Sequence, residues 1–207
     1  MQAKVLRPLL ENGERTTDVD SYSVLAREHR LIERVLDALA RISDEARRTR
    51  QLNGPAAELA IRFLRDFADR THHLKEERIL FPAITAQGHF PGCGLISEHQ
   101  EGRERLSRLA DTARRAMNGD EEATRLFVRT ARSFISFLRD HITKEDECLA
   151  DVVNVTFSRD GHERLLEQFD EMERREVGEG AFERFAALAQ ELETKYPPLQ
   201  RAEGTRS

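Results

Sequence analysis

The stretch HHLKEERIL, which begins at His72, places two histidines and two glutamates directly before an apolar run. It aligns without gaps on HITKEDECL, which begins at His141, and the alignment pairs Glu76 with Glu145. A histidine and a glutamate four residues apart lie on the same face of an α-helix, where both can reach one bound ion. The repeat therefore predicts two helix faces that bind metal.

The second copy of the motif is predicted to point into a hydrophobic core. On a helical wheel with about 100° per residue, His141 and Glu145 lie on the same side as Phe134 and Leu149. A buried carboxylate is costly unless it is paired or bound to a metal. This pattern favours a metal site over a solvated helix face.

The first copy of the motif leaves two assignments open. His72 and Glu76 match the repeat and lie at the border of the apolar arc, so they are the predicted ligands. His73 and Glu77 lie about 100° further round the wheel, away from most of that arc. They stand as the alternative pair.

Two further histidines lie on apolar stripes. His29 occurs in LAREHRLIERVL, and His99 occurs in LISEHQEGRERL. With the repeat, they complete a set of six candidate metal ligands. The candidate ligands are His29, His72, Glu76, His99, His141 and Glu145.

Four long helices are predicted to position these ligands. Their apolar residues recur every three or four positions, and LNGP, GHFPGCG and NGD separate them. The predicted helices cover about residues 19–49, 55–87, 93–118 and 120–153. Short links make neighbouring helices antiparallel, which favours an all-α, up-down-up-down four-helix bundle. Each of the four histidines then lies about 17–21 residues from the same end of the bundle, so all four come to one level.

The chain is expected to contain one main domain and a helical extension. Residues 1–18 lack periodicity and are expected to form a loose arm, residues 19–155 the bundle, and residues 156–207 a C-terminal extension. Two shorter helices, at about 160–176 and 180–195, are predicted to pack on the outside of the bundle because their apolar residues need a surface to cover.

Composition narrows the classes of function. The formal net charge is −5 and arginine is interspersed with acidic residues, so nucleic acid is not an expected partner. No apolar run approaches the roughly 20 residues needed to span a bilayer, and no membrane association is expected. Cys93 and Cys148 are expected to be free thiols, Cys148 as a small core residue, which favours the reducing cytoplasm.

The donor set indicates which metals could bind. Four imidazoles and two carboxylates are too many ligands for one tetrahedral zinc ion. They suit two adjacent transition-metal ions bridged by the carboxylates. Nitrogen and oxygen donors favour iron first, with manganese second and zinc less favoured.

At these residues the sequence resembles the hemerythrin-like, or HHE cation-binding, family. The resemblance is carried by EHR, HHLKEERILFP, SEHQEGR and HITKEDE, and it covers about residues 20–155. It implies two irons with an oxo or hydroxo bridge, a histidine pair for each iron and two bridging carboxylates. The implied pairs are His29 with His72 and His99 with His141, and the implied bridges are Glu76 and Glu145. Dioxygen, peroxide or nitric oxide would bind at an open coordination position.

One position departs from the family pattern. Oxygen-carrying hemerythrins have a second histidine one turn after the histidine of the third helix, where this chain has Arg103. The departure predicts an open position on both ions, which favours catalase-like or peroxide-scavenging turnover over simple oxygen storage. The alternatives are a sensor or store of oxygen or iron without turnover, and a metal-free helical interaction module. Any protein partner is unknown.

Overall fold

The computed structural model describes residues 20–89 and 94–198, and every regular element within these ranges is helical. The all-α prediction is therefore confirmed for the described part of the chain. The predicted N-terminal arm, residues 1–18, lies outside the described residues.

Three α-helices form most of the frame around the histidines. They are α1 (Ser21–Thr49), α4 (Leu95–Ala116) and α5 (Glu121–Thr156). The side chain of Asp20 accepts a hydrogen bond from the Ser23 amide at the start of α1, and Asp120 does the same for α5. These caps satisfy backbone N–H groups that have no partner inside the helix. Both α1 and α4 pack against α5.

The remaining part of the frame is one continuous helix over residues 54–86 whose hydrogen-bond pattern changes along its length. Its segments are α2 (Gly54–Phe63), π1 (Leu64–His73), π2 (Glu76–Leu80) and α3 (Phe81–Ala86). In a π-helix the hydrogen bonds run from i to i+5. The wider turn separates successive side chains by a smaller angle than in an α-helix, so consecutive residues can point in more similar directions.

The C-terminal extension forms two helices at the predicted positions, α6 (Arg159–Val177) and α7 (Ala181–Lys195). Gly178 and Gly180, both with positive φ, separate them. Helix α7 packs against α1 and α2, whereas α6 packs against α1, π1 and π2. The extension therefore covers the side of the molecule formed by α1 and the helix over residues 54–86.

Two apolar clusters flank the histidines. The first cluster draws on α1, α2, π1, α4, α5 and α7 and includes Phe67 and Phe127. The second cluster joins the start of α1 with π2, α3, the start of α4, the end of α5, and α6. Along α1, Leu25 belongs to the second cluster and Ile32 to the first, with His29 between them. The polar ligands therefore occupy a layer between two hydrophobic regions.

The expectation of a free thiol is wrong for Cys148. Cys148 is disulfide-bonded and only partly buried near the end of α5, whereas Cys93 lies outside the described residues. A disulfide-bonded Cys148 does not favour a reducing compartment.

Within residues 20–89 and 94–198, no helix combines the length and the apolar character needed to cross a membrane.

Candidate metal centre

The structure brings the six candidate ligands together in the layer between the apolar clusters. Four helical segments and the start of π2 supply them, and all six side chains are buried. They are His29 on α1, His72 on π1, Glu76 on π2, His99 on α4, and His141 and Glu145 on α5. The equal depths that the sequence predicts thus correspond to a real convergence of side chains.

One group of ligand atoms consists of His29, His72, Glu76 and Glu145, whose donor atoms all lie within 4.8 Å of one another. The Nε2 atoms of His29 and His72 are 2.9 Å apart. Two nitrogens bound to one ion at about 2.1 Å and at right angles would be about 3 Å apart. The spacing therefore fits a shared transition-metal ion.

A second group consists of His73, His99 and His141, again with donor atoms within 4.8 Å of one another. The ring of His73 stacks on that of His99 with 4.1 Å between the centroids, and its centroid is 5.6 Å from that of His141. This group offers a three-histidine site for a second ion.

His73 is buried, so the expectation that it points away from the core is wrong. Its side chain is among the buried groups at 6% exposure, although a wheel of about 100° per residue turns it away from the core. The wheel fails because His73 lies in π1, where the angle between successive side chains is smaller. His72 and His73 therefore both point inward, one to each group. Glu77, the other half of the alternative pair, instead lies at the edge of the site.

The two glutamates span both groups. Oε1 of Glu145 is 3.3 Å from Nε2 of His29, and its Oε2 is 3.2 Å from Nε2 of His141. Glu76 makes a similar link through one oxygen, Oε2, which is 3.8 Å from Nε2 of the first group's His72 and 3.4 Å from Nε2 of the second group's His99. Both carboxylates are positioned to bridge two ions.

Unsatisfied polar atoms support the fit to metal. Both oxygens of Glu76 and Glu145, and Nε2 of His99 and His141, are buried and have no hydrogen-bond partner among the described residues. Leaving such groups buried without a partner is costly. Cations between them would supply the missing interactions.

The charges of the two carboxylates are set by their neighbours. Burial, and then the charge of Glu145, raise the pKa of Glu76 well above its usual range. Burial would also raise the pKa of Glu145, but His29 and its other partners outweigh burial and hold that pKa well below the usual range. Without metal, a proton on this pair of carboxyl groups therefore favours Glu76 over Glu145.

Each histidine predicted as a ligand has a carboxylate behind it, on a neighbouring helix. The Nδ1 to oxygen distances are 2.7 Å from His29 to Asp146, 3.0 Å from His72 to Glu28, 2.8 Å from His99 to Glu77 and 2.9 Å from His141 to Glu98. An Nδ1–H donated to a carboxylate fixes the ring orientation and leaves Nε2 to bind metal. This arrangement is typical of histidines that hold metal ions.

A further group supports each of these carboxylates. The donors are Tyr22 on Asp146 at 2.5 Å, Lys75 on Glu28 at 2.5 Å, Arg103 on Glu77 at 2.7 Å, and Lys144 on Glu98. These roles are not evident from the sequence, although the repeat aligns Lys75 with Lys144 and an EH dipeptide precedes each copy. Arg103, at the place of the expected family histidine, acts through Glu77 on His99.

Burial and neighbouring charges shift the pKa values of several groups around the ligands. Burial alone would lower the pKa of His29, but Glu145 and Asp146 outweigh it and raise this pKa to about 10. Burial would raise the pKa of Glu28, but Lys75 and His72 lower it to about 2. Burial, followed by the charge of His99, lowers the pKa of His73 well below the usual range.

The two other histidines of the described chain lie away from the groups. His89 is exposed in the loop after α3. The partly buried His162, on α6, accepts a hydrogen bond from the Ser21 amide at 3.2 Å.

Comparisons with known proteins agree with this geometry. A family model described as the hemerythrin HHE cation binding domain matches residues 20–153. The chain is also similar to the uncharacterized protein Mb2018 of Mycobacterium bovis and to the uncharacterized proteins MT2051 and Rv1995 of Mycobacterium tuberculosis. Each is 24% identical over 180 residues, which cover 82% of this chain and 68% of the relative. No solved structure gives a significant match.

Proposed function

Because the chain belongs to the hemerythrin HHE cation-binding family, we propose that it is a non-heme di-iron protein that binds or reacts with dioxygen, peroxide or nitric oxide. Iron is proposed over manganese and zinc because the donors are imidazoles and carboxylates without a thiolate, and because two ions would share them. The paired groups of buried ligand atoms support two adjacent ions.

The proposed centre is asymmetric. His29 and His72 would hold one ion, His73, His99 and His141 the other, and Glu76 and Glu145 would bridge them. The ion of the first group would have one protein ligand fewer. This difference in histidine number is the observation that carries the proposal, because it leaves an open coordination position on one side of the centre.

When bound, iron would supply an exchangeable coordination position and electrons for a small diatomic or peroxide ligand. The chain itself holds the imidazoles at fixed angles through their carboxylate partners and excludes bulk water by burying every ligand. It also raises the proton affinity of one bridging residue, since burial and the charge of Glu145 raise the pKa of Glu76 well above its usual range.

The inward position of His73 makes peroxide turnover less favoured than the sequence alone indicates. Arg103 in place of a histidine predicts two ions with open positions, but His73 provides a third histidine for the second group. Reversible binding of a ligand at the first group is therefore the favoured function. Peroxide turnover becomes an outcome to be measured.

An antiparallel four-helix bundle is part of the proposal. The order of the apolar clusters along each helix supports it, because α1 and α4 run from the second cluster to the first, whereas the other two helices run the opposite way. The residues that mark this order are Leu25 then Ile32, Phe67 then Phe81, Leu95 then Leu106, and Leu138 then Leu149.

The test is iron content per chain, measured after anaerobic loading with ferrous iron. We expect about two irons in the unchanged protein and fewer than one after Glu76→Gln with Glu145→Gln, because amides do not bridge ions as carboxylates do. Helicity by circular dichroism should be retained in the variant. An unchanged protein that takes up no iron would contradict the proposal.

Exposure of the loaded protein to each ligand then separates the functions. We expect absorption changes with dioxygen or nitric oxide that reverse when the ligand is removed. Steady consumption of peroxide with evolution of oxygen would identify the protein as a catalase-like enzyme instead. The protein that carries both glutamine substitutions is the control for iron that is bound elsewhere.

A further inference from the structure

A buried chain of charged groups links the C-terminal extension to the metal centre. Nζ of Lys75 donates to Glu173 on α6 at 2.6 Å and to Glu28 on α1 at 2.5 Å. Glu28 in turn accepts from Nδ1 of His72 at 3.0 Å. Three hydrogen bonds therefore connect α6 to one of the proposed iron ligands.

The interior position of this chain makes its charges matter. The side chain of Lys75 is 2% exposed and that of Glu173 is 20% exposed. Its ammonium group lies between two carboxylates, 2.5 Å from Oε1 of Glu28 and 2.6 Å from Oε2 of Glu173. A buried cation requires compensation from its partners, and α6 provides half of it here.

The second copy of the repeat provides a contrast. Lys144 aligns with Lys75 and donates to Glu98, which supports His141. However, the side chain of Lys144 is 41% exposed. Water screens that ion pair, whereas α6 covers the pair that Lys75 makes with Glu28. The two copies of the repeat have similar sequences, but the C-terminal extension covers the lysine ion pair of the first copy only.

We propose that Glu173 is a positioning residue for the first ligand group, so that the C-terminal extension tunes one of the two ions. This inference rests on the proposed di-iron function. Glu173 divides the charge of Lys75 between two carboxylates, which leaves Glu28 a strong acceptor for the N–H of His72. A strong acceptor makes the imidazole a better donor to its metal ion.

Removal of the charge on Glu173 should weaken metal binding at the first group. Lys75 would interact more fully with Glu28, and Glu28 would then accept less strongly from His72. The loss of a negative charge near a cation also disfavours metal binding. Both effects weaken binding at the first group, and neither acts through His73, His99 or His141.

The chain offers a matched control on the same helix. Glu176 also lies on α6 and also forms an ion pair with the helix over residues 54–86, through Arg78 at 3.1 Å. Arg78 is half exposed and has no carboxylate of the metal centre among its partners in the described chain. Glu173→Gln and Glu176→Gln therefore remove the same charge from neighbouring turns, but only the first should affect a ligand histidine.

The experiment compares the ferrous-iron affinities of three full-length proteins by competition with a chelator under anaerobic conditions. Iron binding by the unchanged protein is measured first and tests the di-iron proposal separately. We expect Glu173→Gln to weaken one of the two ions about tenfold, at the lower end of the effect of outer-shell substitutions. Glu176→Gln should leave both affinities within about twofold, because its partner Arg78 is half exposed and water screens their ion pair.

Mössbauer spectra of the proteins loaded with iron-57 provide a readout that loss of stability alone would not change. We expect Glu173→Gln to alter the quadrupole splitting of one iron and leave the other unchanged. Equal changes at both irons, or an effect no larger than that of Glu176→Gln, would overturn the inference. Unfolding curves of the metal-free proteins, if they coincide, exclude a general loss of structure as the cause.

Discussion

In each of the four histidines predicted as ligands, the two ring nitrogens have different partners. Nε2 of each predicted ligand points toward the shared centre, and Nδ1 of each meets a carboxylate on another helix. His73 differs, because its Nδ1 has no hydrogen-bond partner among the described residues. Without such a support, burial keeps it neutral, and a neutral imidazole is the form that binds metal.

Substitution of His73 tests its role as the third histidine of the second group. We expect His73→Leu to retain the first ion but to lose most of the second, because only two histidines and the bridges would remain for it. Iron content per chain should fall from about two toward one. His89→Leu, in an exposed loop, is the control, and full iron content in the His73 variant would refute the assignment.

Iron binding should release protons. At pH 7 the metal-free chain keeps a proton on His29, whose pKa is raised to about 10, and the pKa of Glu76 is also raised, well above its usual range. Metals bind the deprotonated forms, so a rise in pH removes competing protons and should strengthen binding. Calorimetric titration in buffers of different ionisation enthalpy measures the protons released. An affinity that is independent of pH between 6 and 9 would contradict this expectation.

At the scale of elements, the helix over residues 54–86 determines how many ligands the first motif supplies. An uninterrupted α-helix would turn either His72 or His73 away from the centre, whereas π1 directs both inward. Its apolar face still packs in the first cluster through Phe63 and Phe67. The π geometry thus adds a ligand without loss of the hydrophobic contact.

The two copies of the repeat should differ in how much their lysines stabilise the fold. Lys75→Met leaves the buried Glu28 without its cation, which should destabilise the metal-free chain by about 3–5 kcal/mol. Lys144→Met removes a half-exposed ion pair and should cost about 0–1 kcal/mol. Urea unfolding at pH 7 gives both values.

The pH dependence of this effect has a definite sign. Because the pKa of Glu28 is lowered to about 2 from a usual value of 4.5, its stabilisation is present above pH 4.5 and is lost as the pH falls toward 2. The difference between the unchanged protein and Lys75→Met should therefore decrease in acid. Equal costs of the two lysine substitutions at pH 7 would show that burial does not distinguish the pairs.

At the scale of the whole molecule, the extension completes the hydrophobic region on one side of the ligands. Phe169 and Leu165 of α6 lie in the second cluster with Leu25 and Phe81. The same helix carries Glu173, which reaches Lys75. Helix α6 therefore contributes both apolar contact and charge to the surroundings of the metal centre.

Truncation of a core side chain in α6 should affect the stability of the whole chain. We expect Phe169→Ala, at a fully buried position, to reduce the free energy of unfolding by about 3–5 kcal/mol. Val155→Ala, at a side chain that is 77% exposed, should change it by less than about 0.5 kcal/mol. Denaturant unfolding followed by circular dichroism and fluorescence of an attached dye should show one transition. Separate unfolding of α6 and α7 would indicate that the extension is not part of the same cooperative unit.

The helices, the convergence of His29, His72, His99 and His141, and the family could all be predicted from the sequence. Periodicity and the spacing of the repeat encode these features locally, because residues four apart share a helix face. The boundaries of α6 and α7 were also predictable, since glycines with positive φ separate them.

The division of the ligands between two groups, and the residues that support each ligand, could not be predicted from the sequence. The direction of His73 depends on a change of helix type that the hydrophobic pattern does not reveal. The partners of Lys75 lie 47 and 98 residues away in the chain, and the bond of Cys148 is equally invisible to local spacing. Side chains that are distant in sequence meet only after packing brings their helices together, so the charge and orientation of each ligand are properties of the assembled fold.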